Sequence, residues 1–353
     1  MAASKPFIGI DLGGTNMQIG LVSPGMKMLA GAKRKTKADE GLDAVVDRII
    51  SGIQEACDAG RVAVTDLAAI GNNDRLQCSD ACGSLAAEIA KPAWSPPSEV
   101  IRSPVVSDIP GWVVDITGGA ALGVPIAAIL TKKLKVRAFL DNDVNVAVLG
   151  ENRLGAGKNA KDLLGVWVGT GIGGGLILNG QLYYGAKFSA GEIGHTILHP
   201  GLSLGDRTLE NACSRTAIVD RLVRLIRSNH KSRLAADLAA ESPSKIKSKT
   251  LATYYHSGPK PDKLVCQVID HAAVQLGIAI SNVVTLLSLS RVVLGGGLTE
   301  ALGKPFVQRV EQSAREHAFP AACRKVEVVE SALADAAGVF GAAMIAQERL
   351  RKK

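Results

Sequence analysis

Short apolar runs end in glycine turns along this chain, and segments of helical periodicity separate them. Residues 7–35 alternate as an antiparallel meander, with Pro24-Gly25 as one of its turns. Residues 39–60 carry Leu42, Val45, Val46, Ile49, Ile50 and Ile53 on one helical face and stop at Gly60. Strands are predicted at 67–70, 136–140, 163–168, 176–178, 292–294 and 326–329, and helices at 125–135, 144–151, 209–227, 263–288 and 335–351. The apolar region 272–294 is interrupted by Gln275, Ser281, Asn282, Thr285, Ser288, Ser290 and Arg291. It reads as a buried helix and a strand, which excludes a membrane span. The alternation of strands with helices makes this an α/β protein.

Three of the strands run into glycine clusters. Ile8-Gly9-Ile10 leads into Asp11-Leu12-Gly13-Gly14-Thr15-Asn16, and Val168 into Gly169-Thr170-Gly171 followed by Gly173-Gly174-Gly175. Val292-Val293-Leu294 leads into Gly295-Gly296-Gly297. Glycine lets backbone N–H groups approach phosphate oxygens closely. Asp11 beside the first loop could hold a hydrated Mg²⁺, an ion bound by few carboxylates plus phosphates. Three such loops point to a nucleotide phosphate tail gripped from two sides.

Composition narrows the picture. At 353 residues the chain has room for two cored domains. The start Met-Ala-Ala-Ser-Lys-Pro lacks a secretory apolar core, so a cytoplasmic protein is expected. Six cysteines without a CxxC pair read as reduced, unremarkable thiols. The net charge of +8 sits largely in tails and in the polar stretch 227–249, without interleaved aromatics, so no nucleic-acid partner is expected. No helix-turn-helix pattern precedes Gly9.

The ordered set of motifs resembles the ROK kinases, a family of repressors, open reading frames and sugar kinases. The resemblance rests on Asp-Leu-Gly-Gly-Thr-Asn at 11–16, Leu-Asp-Asn-Asp-Val-Asn at 140–145 and Gly-Thr-Gly-Ile-Gly-Gly-Gly at 169–175. It continues in Gly-Glu-Ile-Gly-His at 191–195, Val-Leu-Gly-Gly-Gly at 293–297 and Ala-Asp-Ala-Ala-Gly-Val-Phe-Gly-Ala-Ala at 334–343. It implies a two-domain actin-like ATPase (ribonuclease H-like) fold of the sugar kinase type. The first domain would be 1–124, completed by a helix at about 335–353, and the second 125–334. It further implies ATP and Mg²⁺ as cofactors, small-molecule sugar and nucleotide as partners, no membrane, and a homodimer.

A sugar hydroxyl becomes nucleophilic when a carboxylate accepts its proton, and Asp143 matches the family's base. Read without the family, the same residue is an Asx turn or helix N-cap. Asn142, Glu192, His195 and Glu210 match groups that orient the sugar. Gly13, Gly14, Thr15, Asn16, Gly169, Thr170 and Gly171 match the phosphate loops, and Gly295, Gly296 and Gly297 the adenosine side. Asp141 reads as a cap or cross-link.

Two departures stand out. The family's zinc knuckle between His195 and Glu210 is replaced by Pro200-Gly201-Leu202-Ser203-Leu204-Gly205-Asp206-Arg207-Thr208, which has no cysteine. No zinc site is therefore expected, and the loop would be ordered by packing, with Arg207 or Asp206 as candidates for it. Residues 72–107 are unlike the family, as a diverged sugar-pocket wall, a flexible insertion or a local frame error in the gene. The resulting expectation is transfer of the γ-phosphoryl group of ATP to the 6-hydroxyl of a hexose, glucose first. Fructose, mannose, N-acetylated amino sugars and polyphosphate as donor stay open. The alternative is a catalytically impaired sugar sensor of the same fold.

Overall fold

The amino-terminal alternation builds β1 (Phe7–Leu12), β2 (Asn16–Val22) and β3 (Met28–Lys35) as an antiparallel meander. Its inward positions, Ile8, Ile10, Leu12, Met17, Ile19 and Leu21, are buried against α1 (Leu42–Ala59). Gly60 ends that helix, where its N–H donates to Ala56 O. In this computed structural model residues 5–74, 125–256 and 260–351 are described. Most of the atypical segment 72–107, with Cys78 and Cys82, therefore lies outside the described residues.

After β4 (Ala69–Asp74) come α2 (Ile126–Leu134), β5 (Ala138–Asn142) and α3 (Asp143–Leu154). β4 runs past the predicted end at residue 70, because Asn72, Asn73 and Asp74 pair in parallel register with Leu140, Asp141 and Asn142 of β5. β6 (Leu163–Val168), β7 (Ile172–Leu178) and β8 (Gln181–Tyr183) form a second meander. Then follow α4 (Leu209–Cys213), α5 (Arg215–Arg227), α6 (Ala235–Ala240), α7 (Ser248–Tyr255) and α8 (Lys263–Leu287). The chain closes with β9 (Arg291–Gly295), α9 (Gly297–His317), β10 (Glu327–Glu330) and α10 (Ala336–Arg351).

The predicted helix at 209–227 is two helices. Ser214 is extended at φ −67°, ψ 161° and caps α5 by accepting from Ala217 N at 3.2 Å. α8 is long and apolar enough to cross a membrane, yet Leu264, Val265, Ile269, Leu276 and Ile280 bury it in a core with β6 and α9.

Two compact units result. The first is Met1–Gly150, Gly185–Phe188 and Asp335–Lys353, and the second is Glu151–Tyr184 and Ser189–Ala334. Residues 125–150, placed by sequence in the second domain, belong to the first, because β5 completes the first sheet beside β4. The sheets read β3-β2-β1-β4-β5 and β8-β7-β6-β9-β10. Pairing along each is antiparallel, antiparallel, parallel and parallel. The same five-strand unit thus occurs twice. In the first unit α10 lies directly on the sheet: a Cβ at Gly71 would stand 1.7 Å from Ala342 O, so only glycine permits that approach.

Candidate active site

In each unit the glycine turn joins the first two strands. Gly13 N donates to Asn16 O (3.0 Å), closing the turn between β1 and β2. The fully buried Thr36, which no sequence signal marked, anchors the turn from behind. Its N–H donates to Thr15 O (2.9 Å) and its hydroxyl donates to Gly13 O. Asp11 is half-buried near the carboxyl end of β1. Asn142 and Asp143 stand at the same edge of that sheet, where β5 passes into α3.

The structure resolves the cap question. Asn142 Oδ1 accepts from Val144 N (3.0 Å) and Asn145 N (3.1 Å), so Asn142 caps α3. Asp143 is the half-buried first residue of the helix. Asp141 is the expected cross-link: its carboxylate receives Arg349 Nη2 at 2.6 Å and Asn142 N at 2.9 Å. Asn72, on the neighbouring β4, is buried with neither amide atom hydrogen-bonded among the described residues.

In the second unit the loop 169–171 is braced from α5. Arg215 N donates to Gly169 O (2.9 Å), Thr216 Oγ1 to Thr170 O (2.9 Å) and Arg215 Nη2 to Thr170 Oγ1 (3.1 Å). Burial lowers the Arg215 pKa, and the residue makes no ion pair among the described residues. Sequence reading missed Arg215 because it lies outside every glycine motif.

Glu210 is tied to the same loop, its Oε2 accepting from Ile172 N at 2.7 Å. A Cβ at Gly171 would meet that oxygen at 2.3 Å, so the glycine makes room for the carboxylate. Glu192 and His195 belong to a 3₁₀ turn, with Ile193–His195 helical and Glu192 at its start, rather than to an α-helix. Spacing of three still places two side chains close together in that geometry. Burial raises the Glu192 carboxyl, with His195 opposing and Glu210 adding to the rise. Glu192, His195 and Glu210 are therefore one electrostatic cluster.

Gly295 pairs with Trp167 of β6, and Gly296, at φ +88°, has the position of its missing Cβ 2.6 Å from Val168 O. The third glycine cluster thus abuts the second loop, and only glycine suits that backbone. In the first unit the turn at Gly14 is open, and a Cβ there would touch nothing within 4 Å.

The loop 200–208 is ordered as its sequence implies. Ser203 Oγ donates to Asp206 Oδ2 (2.7 Å) and Arg207 Nε to Leu202 O (2.6 Å). Arg207 O in turn accepts from Leu198 N and His199 N. Among the described residues, no group of three or more His, Cys, Asp or Glu could hold a metal ion. Burial pushes the Cys57 thiol up to about 11 and the Cys213 thiol up to about 12, so both stay protonated.

The chain is thus an α/β protein built of two glycine-turn units of matching topology, with Asp11, Asn142 and Asp143 at the edge of one sheet and a Glu192–His195–Glu210 cluster in the other unit. Residues 102–349 match the ROK family, and the chain belongs to it. A glucokinase from Thermotoga maritima is 28% identical over 347 residues, covering 97% of this chain and 98% of that protein. The DNA-binding transcriptional dual regulator NagC of Escherichia coli is 28% identical over 228 residues, 63% of this chain and 53% of that protein. A ROK family glucokinase from Streptomyces griseus, solved with glucose and AMPPNP, superposes with a TM-score of 0.72 at 22% identity, covering 97% of this chain and 99% of that one. The fold is the two-domain actin-like ATPase fold of the sugar kinases.

Proposed function

We infer that the protein is a cytoplasmic ATP-dependent hexose kinase that phosphorylates the 6-hydroxyl, with glucose as first substrate. The observation that carries this reading is the duplicated unit, in which each glycine turn occupies the same place between the first two strands of its sheet. Asp143 accepts the proton of the sugar hydroxyl as it attacks the γ-phosphorus. Glu192, His195 and Glu210 orient the ring through directional hydrogen bonds, and Asn142 contributes its amide N–H₂. The loops at 13–16 and 169–171 hold the phosphates, and Gly295, Gly296 and Gly297 receive the adenosine. Arg215 adds positive charge beside Thr170. Mg²⁺, when bound, neutralises phosphate charge, and Asp11 is the residue that would hold it through water.

The similarity to NagC favours a second reading, a sugar sensor without turnover. Mass spectrometry of glucose incubated with the protein and Mg-ATP separates the two. The kinase reading expects one phosphoryl group added at the 6-position. Unchanged glucose, with sugar binding retained, supports the sensor.

A further inference from the structure

A cavity of about 590 Å³ opens beside α4, lined among others by His199, Asp206, Asn211, Arg221, Arg224 and His271. None of these residues has a part in the proposed transfer. Arg221 and Arg224 lie three apart on α5, and His271 and Gln275 four apart on α8, so each pair shares a helix face. Part of the wall is a built polar network. Cys213 Sγ donates to Gln275 Oε1 (3.8 Å), and Gln275, only 8% exposed, donates from Nε2 to His199 Nε2 (2.7 Å).

Positive charge collects here with little to balance it. Among the described lining residues Asp206 is the one carboxylate, and it stands 4.0 Å from Arg224 while accepting from Ser203. Arg221 makes no ion pair among the described residues. Burial, then the Arg221 guanidinium, disfavours the imidazolium of His271. An anion placed among these groups would relieve that repulsion.

We propose that this cavity binds a phosphate monoester, with Arg221 as its chief cation and Arg224, His271 and the Asn211 amide as further donors. A planar guanidinium suits phosphate oxygens because it can give two parallel hydrogen bonds. The volume exceeds what a bare phosphate fills and falls in the range of small-ligand pockets. A phosphorylated sugar is therefore the preferred source. That preference rests on the proposed kinase reaction, whereas the phosphate site does not. Asn211 shares α4 with Glu210, so occupancy would reach the sugar cluster through one short helix.

Calorimetry on the full chain with inorganic phosphate at constant ionic strength tests the site independently of any activity. Wild-type protein should bind saturably, and Arg221→Ala should weaken binding about tenfold or more. Arg227→Ala, at the end of the same helix and outside the cavity, should not. On binding, NMR titration should show the His271 pKa rising. Absence of saturable binding, or equal loss in both variants, overturns the proposal. A second titration uses hexose 6-phosphate with saturating hexose filling the candidate active site. Tighter binding than phosphate, lost in Arg221→Ala, supports the sugar phosphate. Equal binding removes the sugar from the proposal.

Discussion

Arg349 donates to the buried carboxylate of Asp141 at 2.6 Å and to Leu140 O at 2.8 Å, fastening α10 to β5 two residues before Asp143. The pair ties the end of β5 to the carboxyl-terminal helix. Removing one partner of a buried pair leaves the other charge uncompensated, at a cost of about 3 kcal/mol. Arg349→Ala should lower the unfolding free energy by about that amount in urea denaturation. A change within the error of the fit would mean that Asp141 finds water instead.

Asp143→Asn should lower kcat by about 10²- to 10⁴-fold while leaving the sugar dissociation constant nearly unchanged. Asn142 keeps the α3 cap in this variant, so its melting temperature should match wild type. An unchanged kcat would remove Asp143 from the role of base.

Two glycine substitutions should separate site geometry from folding. At Gly171 a new Cβ meets only the end of the Glu210 side chain, at 2.3 Å. Gly171→Ala should therefore fold, displace Glu210 from Ile172 N–H and raise the hexose KM about tenfold. At Gly194 it meets backbone, Ile172 O at 2.0 Å. Gly194→Ala should yield little folded protein, as read by expression and circular dichroism.

The Glu192 carboxyl titrates above its ordinary value of 4.5 because of burial, against His195 and with Glu210. Glu210→Gln should lower its pKa, and His195→Ala should raise it, both followed by carbon-detected NMR. A folded pKa above the unfolded one means that the native state binds the extra proton. The group's contribution to stability is therefore present below 4.5 and falls as pH rises through the raised value. Opposite shifts in the two variants would separate Glu192 from the cluster.

The glycine turns and the strands leading into them were legible in the sequence, because φ-permissive residues and period-two burial leave local marks. The identity of the α3 cap was not: Asn142 and Asp143 both suit it, and only the backbone decides. α9 went unread because Gly303, at φ 61°, and Pro305 interrupt its periodicity. Thr36 and Arg215 escaped notice for another reason. Each acts on a loop distant in sequence, Thr36 on Gly13 and Thr15, Arg215 on Gly169 and Thr170, and carries no motif of its own. The unit boundary moved to Gly150 because β5 pairs with β4, a long-range choice invisible to local pattern.

Coupled measurement of ADP release from Mg-ATP, across a panel of hexoses and a no-sugar control, addresses the central claim. A hexose kinase gives release that depends on one hexose, glucose foremost, and that Asp143→Asn abolishes. Nucleotide binding without sugar-dependent release on any hexose would contradict it and leave a sugar sensor built on the same two units.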